Sequence, residues 1–204
     1  MCIRDSLGTQ MVAKGLDFEN VTLVGVINAD QQLNNDDFRS QERTFDLLTQ
    51  VVGRAGRGRY EGTAVIQTCN PENDVIQIAA RQDYDAFFKD ELKTRKMLIY
   101  PPYCDICLIG FIGENEPKVR VASQKFTDKL KKKLGGEYND LKIIALGPMT
   151  ARVSKISNKF RYRLILKCKN TKRFRALMNE LLKYTGSDRA YNDVSVYIDI
   201  NPEN

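Results

Sequence analysis

Phe160-Arg-Tyr-Arg-Leu-Ile-Leu-Lys167 sets Phe160, Tyr162, Leu164 and Leu166 on one side of the chain, against Arg161, Arg163 and Lys167 on the other. A period of two marks a half-buried β-strand, because successive side chains of an extended chain point to opposite sheet faces. The alternation predicts a strand over 160–168. It recurs in Val194, Val196, Ile198 and Ile200 against Ser195, Tyr197 and Asp199, which predicts another over 194–200. Between them Phe174, Leu177, Met178, Leu181 and Leu182 fall three and four apart, the spacing of a helix over 171–185. Working upstream, Ala122, Phe126, Leu130 and Leu134 predict a helix over 119–134, and apolar runs predict strands over 104–113 and 141–147. Strand, helix, strand, strand, helix, strand is the order of a split-βαβ, ferredoxin-like sandwich with both helices on one sheet face.

The same region carries the charge. The whole chain has 32 Lys and Arg against 26 Asp and Glu, a net +6, but Pro117–Lys183 alone holds 19 cations and 4 acids, leaving the rest at −9. A basic block interleaved with Phe126, Tyr138, Phe160, Tyr162 and Phe174 suits a polyanion, since each cation that neutralises a phosphate releases counterions. A solvated lysine-rich surface is the alternative. Arg161, Arg163 and Lys167 on one strand are candidate phosphate contacts, with Lys125, Lys129, Lys132 and Lys133 on helix 119–134 as rivals.

With 204 residues the chain has room for one large domain or two small ones. No apolar run approaches a membrane span, which predicts a soluble cytoplasmic protein with no membrane partner. Five scattered cysteines and no histidine predict reduced thiols and no metal site. Cys104 and Cys107 have the spacing of half a zinc site, but no second pair completes it, and both begin an apolar strand, so core packing is the expectation.

Ahead of the double proline Pro101-Pro102 the pattern is α/β: a buried apolar strand at Val21–Ile27, a helix from Ser40 to about Gly53 with Phe45, Leu48 and Val52 on one face, a strand at Thr63–Thr68, and further helix opened by Asn70-Pro71-Glu72. Ser40 is the expected N-cap, with Glu42 and Arg43 in the first turn. Two loops stand out, Gly8-Thr-Gln-Met-Val-Ala-Lys-Gly-Leu-Asp17 and Gln50-Val-Val-Gly-Arg-Ala-Gly-Arg57. Arg54 and Arg57, three residues apart, would leave one face of a helix toward a shared anion. Gly53 and Gly56 remove side chains where a phosphate or a neighbouring backbone must approach. The alternative is a basic helix C-cap, its arginines complementing the helix dipole. For the first loop it is a plain strand-to-helix turn.

GTQMVAKGLDF (8–18) and QVVGRAGR (50–57) resemble motifs V and VI of superfamily 2 helicases. The intervening Ala29-Asp30, Asp37-Phe-Arg-Ser and Glu42-Arg43 resemble the primosomal protein N′ (PriA) family of replication-restart helicases. Downstream, Tyr84-Asp-Ala-Phe, Glu91, Arg95, Tyr100-Pro-Pro-Tyr103, Gly147-Pro148, Phe160-Arg-Tyr-Arg163 and Asp199-Ile-Asn-Pro202 continue the likeness. It implies an ATP-dependent 3′→5′ DNA helicase, with a RecA-like lobe ending in this chain and a ribosomal S10-like C-terminal domain. By position, Arg57 is the arginine finger on the γ-phosphate, Arg54 a second phosphate contact and Gln50 a support. Gly15, Asp17 and Gly53 line the nucleotide cleft, while Thr9, Gln10 and Lys14 hold the DNA backbone. The implied partners are forked and single-stranded DNA, single-strand-binding protein and primosome proteins.

There are departures. The chain contains no G-x-x-x-x-G-K-[ST] and no Asp-Glu box, so ATP and Mg²⁺ would be gripped by an N-terminal lobe not present here, and this fragment alone should be inactive. The family's zinc-binding cysteines lie upstream of motif V and are absent. Asn201 stands where the family usually has Asp. Met1–Ser6 does not read as the expected apolar strand but as a leader foreign to the fold. The resulting organisation is 1–6 leader, 7–70 end of a motor lobe, 71–103 helical connector and 104–204 basic DNA-binding domain. A stand-alone nucleic-acid or partner-binding module without catalysis is the second reading.

Overall fold

Short β-branched runs at either end of a helical crossover pair first. In the computed structural model, β1 (Leu23–Val26) lies parallel to β2 (Thr63–Ile66), in register from Leu23 with Thr63 to Val26 with Ile66. Between them come a single helical turn, α1 (Asp30–Leu33), and α2 (Ser40–Val52); after β2 follow α3 (Asp74–Ala80) and α4 (Tyr84–Leu98). The structure describes residues 7, 8, 21–56 and 59–203, which divide into two units, Met1–Thr94 and Arg95–Asn204.

In the first unit the apolar stripe of α2, Phe45 and Leu48, forms one buried cluster with Ala29, Val75, Ile76, Ala79 and Phe87. The Phe45 and Phe87 rings stack with centroids 4.2 Å apart and planes 7° apart. Such a pair adds roughly 0.5–1.5 kcal/mol beyond its buried area. The strand expected to be buried at 21–27 is shorter and half-exposed, with Leu23 and Ile27 open to solvent. The reason is that, among the described residues, the sheet has two strands and α2 packs against it from one side. Nor is Ser40 the N-cap. Arg39 holds that place, and Asp37 organises the entry: its side chain accepts from Arg39 N–H (3.0 Å) and pairs with Arg43 (2.9 Å). Helix after β2 begins at Asp74 rather than near Asn70, because the Asn73 side chain accepts from the Val75 and Ile76 N–H groups.

The second unit realises the strand order read from the sequence: β3 (Asp105–Gly113), α5 (Glu116–Leu134), β4 (Ile144–Ile156), β5 (Lys159–Cys168), α6 (Lys172–Ser187) and β6 (Val194–Ile200). The sheet is antiparallel throughout, in spatial order β4-β5-β3-β6. Cys107, Ile109, Phe111, Leu164 and Leu166 point to one face and pack with Val119, Phe126 and Leu130 of α5 and Phe174, Leu177 and Leu181 of α6. Caps set the helix starts. The Asn115 side chain accepts from Lys118 N–H (3.1 Å) with Pro117 in the first turn, and the Thr171 hydroxyl accepts from Phe174 N–H (3.1 Å).

The largest difference from expectation is β4, which runs to Ile156 rather than stopping at 147. Gly147-Pro148 looks like a strand end, but β4 is an edge strand and the proline sits in a bulge between Leu146 and Met149, where its missing N–H breaks no ladder. Beyond the bulge, β4 and β5 form a hairpin closed by Ser157 and Asn158, both left-handed (φ 48° and 62°), the conformation of a two-residue type I′ turn.

Candidate nucleic-acid interface

The Gln50–Arg57 segment begins on the last turn of α2, where Gln50 is exposed. The helix ends at Val52, so Arg54 lies in the turn beyond it, half-buried. Gly53 closes the helix by donating to Thr49 O (3.0 Å). Gly56 has φ +77° and donates to Val21 O (3.0 Å), and a Cβ on Gly62 would stand 2.0 Å from the Gly56 nitrogen. The approach that Gly56 permits is therefore that of a neighbouring backbone, which fastens this turn beside β1. Arg57, and the motif V residues Thr9, Gln10, Lys14, Gly15 and Asp17, lie outside the described residues.

In the second unit, cations fall into two populations. Some of those on the helices face acids: Lys133 meets Glu180 (2.6 Å) and Glu137 (2.9 Å), Arg173 meets Asp140 (2.8 Å), Lys125 meets Asp188 (3.5 Å) and Lys118 meets Asp193. Lys133 and the Tyr138 hydroxyl hold Glu180 below the usual carboxylate range. Lys129 sits 4.7 Å above the Tyr184 ring. The β4–β5 hairpin differs: from Ile144 to Cys168 there are six cations, Arg152, Lys155, Lys159, Arg161, Arg163 and Lys167, and no acid.

Alternation aims part of this charge. On β5, Lys159, Arg161, Arg163 and Lys167 lie on the face opposite the helices, beside Ile112 and Gly110 of β3. Arg161 and Arg163 are half-buried among strand neighbours. Lys167 is different. It is 9% exposed, donates to Leu98 O (2.7 Å) and lies 3.6 Å over the Tyr100 ring. Residues 98–100 thus cover that end of the face, burial pulls the ammonium's pKa down, and Lys167 anchors its own unit rather than presenting charge outward. Arg152, Lys155 and Lys159 are absent from the candidates read from the sequence because the strand carrying two of them is expected there to end early. Ser157-Asn158 between two extended runs is the signal that could have found them.

Cys104 and Cys107 do not act together. Cys107 is fully buried, its thiol pushed up to about 12 by that burial, while Cys104 donates to Ile99 O. A thiol so hard to ionise is a poor zinc ligand, and among the described residues no group of three or more His, Cys, Asp or Glu could hold a metal. No described helix is long and apolar enough to cross a membrane.

Residues 96–203 match the family model described as the primosomal protein N C-terminal domain. This chain belongs to that PriA family. Curated relatives agree. It is 41% identical over 196 residues to the replication restart protein PriA of Bacillus subtilis (strain 168), covering 96% of this chain and 24% of the relative. Identity is 42% over 161 residues to the PriA of Synechocystis (79% and 19%) and 37% over 195 residues to that of Borreliella burgdorferi (96% and 28%). The chain thus spans about a quarter of the length of the PriA relatives it matches.

Several residues of the PriA resemblance have structural work here. Asp30 accepts from the Thr68 hydroxyl and Cys69 N–H, both at 2.7 Å, clamping the end of β2 and holding its own carboxyl below the usual range. Asn201 has φ +53°. Its amide donates to Asp105 (2.9 Å) and accepts from Ile106 N–H (2.9 Å). A carboxylate could not make the first of these bonds.

Proposed function

We propose that this chain is the C-terminal portion of an ATP-dependent 3′→5′ DNA helicase that binds stalled replication forks and restarts replication by primosome assembly. Its β4–β5 hairpin is the DNA-binding surface. The observation that carries the reading is that acid-free hairpin, with Arg152, Lys155, Lys159, Arg161 and Arg163 besides the anchored Lys167, in a PriA-family chain in which helix cations such as Lys133 and Arg173 are held by carboxylates. The first unit is the closing part of a RecA-like motor lobe, supported by the parallel β1–β2 pair with its α2 crossover. The second is a ferredoxin-like, S10-like sandwich, supported by its antiparallel sheet and its β-α-β-β-α-β order.

In this reading Arg57 is the arginine finger, Arg54 a second phosphate contact and Gln50 their support, and Gly53 and Gly56 allow the turn that carries Arg54 to close tightly. Exposed Gln50 and half-buried Arg54 at a helix end fit a nucleotide phosphate approaching from another lobe. Gly15 and Asp17 line the same cleft, and Thr9, Gln10 and Lys14 hold the DNA backbone. Mg²⁺-ATP supplies the phosphoryl chemistry, and its phosphate-gripping loop belongs to residues that this sequence does not contain. Zinc is held elsewhere in the larger protein. Forked and single-stranded DNA, single-strand-binding protein and primosome proteins are the partners.

In the full-length protein, Arg57→Ala should abolish ATP hydrolysis and unwinding while fork binding survives nearly intact. Normal ATP turnover in that variant would contradict the arginine-finger assignment.

A further inference from the structure

The sheet face opposite α5 and α6 carries an aromatic ring laid across its floor. Gly110 of β3 lies in register between Arg163 of β5 and Tyr197 of β6. A Cβ on Gly110 would stand 2.1 Å from the Tyr197 Cε1 and Cζ atoms. The ring therefore occupies the place of the missing side chain, leaning over β3 toward Arg163, and Tyr197 remains 38% exposed. Covering a strand glycine with an aromatic neighbour protects the sheet, and this alone would explain the pose. The surrounding charge asks for more. The same face carries Lys159, Arg161 and Arg163, with Asp199 the acid beside Tyr197.

Resting on the DNA-binding reading above, we propose that this open face is a single-strand platform, on which one base of single-stranded DNA stacks on Tyr197 over Gly110 while Arg163, Arg161 and Lys159 track the backbone. The occupant follows from the combination: a flat ring backed by peptide on one side and open on the other accepts any base, and the cations beside it suit phosphates. Duplex DNA, whose bases are already stacked, would use the hairpin without the ring.

The test uses the whole 204-residue chain with fluorescein-labelled oligo(dT) and with a hairpin duplex. Tyr197→Leu should weaken oligo(dT) binding about 10-fold, and Tyr197→Phe should restore it, with duplex binding and the salt slope unchanged. Because the chain has no Trp, Tyr197→Trp puts a single indole on the platform; its fluorescence should be quenched by oligo(dT) and not by the duplex, independently of any loss of stability in the Leu variant. Unaltered oligo(dT) affinity in Tyr197→Leu, or an indole indifferent to oligo(dT) that still binds, would overturn the platform and leave the hairpin reading standing. Failure of the parent chain to bind either DNA would overturn both.

Discussion

Lys167→Met is the sharpest test of how the second unit uses its charge. The alternation of β5 puts Lys167 beside Arg161 and Arg163, yet the structure gives it a buried place under residues 98–100. The substitution keeps the aliphatic stem. It removes a charge-assisted bond to Leu98 O (2.7 Å), worth about 1.5–3 kcal/mol, and a cation–π contact with Tyr100 (3.6 Å), worth about 0.5–2 kcal/mol. Against this, the buried ammonium no longer has to be desolvated, the effect that lowers its pKa. The net expectation is a loss of about 2 kcal/mol, roughly 8 °C in melting temperature for a unit of this size. Thermal unfolding followed by circular dichroism reads the first quantity, and DNA binding across a salt series reads the second. The slope of log affinity against log salt should not change. A variant as stable as its parent whose slope falls by about 0.7–0.9 would refute the reasoning and return Lys167 to the DNA surface.

Two further outcomes follow from the packing. Asp105, Asp188 and Glu180 all have carboxyls held below their ordinary range, by Asn201 and the Asn170 N–H, by the Tyr184 hydroxyl and the Ala190 N–H, and by Lys133 and Tyr138. Their contribution is complete above the unfolded carboxylate value and lost as pH falls through the depressed folded values, so the melting temperature should hold from pH 7 to about 4 and drop below it; a melting temperature flat down to pH 2 would contradict this. Gly62→Ala forces a Cβ to within 2.0 Å of the Gly56 nitrogen and should cost at least about 2 kcal/mol in the first unit, measured by urea unfolding, whereas an unchanged midpoint would show that the Gly56–Gly62 crossing is not tight.

Much of the second unit was legible because its two periodicities are clean. Val194 to Ile200 alternates without a break and became β6 with the expected bounds, and the Phe174, Leu177 and Leu181 stripe became the buried face of α6. Caps moved the edges: Asn115 and Pro117 begin α5 three residues ahead of its first core residue, Val119, and local side-chain hydrogen bonds leave no mark on hydrophobic periodicity. The hairpin was hidden by Pro148, which reads as a breaker until its strand is known to lie at an edge. In the first unit, Leu23 and Val26 look like a buried run, but burial depends on how many strands surround them, which a local window does not contain. Charge counting found the basic block, but only the fold separates Lys133, held by Glu180 and Glu137, from the acid-free hairpin.

The central claim is that this hairpin is the phosphate-binding surface. Fluorescence anisotropy of the whole chain with single-stranded DNA, from low to physiological salt, should be compared with that of the variant Lys155→Gln, Lys159→Gln, Arg161→Gln. The prediction is weaker binding and a slope of log affinity against log salt reduced by about 2, while a matched triple substitution of Lys125, Lys129 and Lys133 leaves the slope as it was. An unchanged slope in the hairpin variant, with the loss appearing in the helix variant instead, would contradict the account.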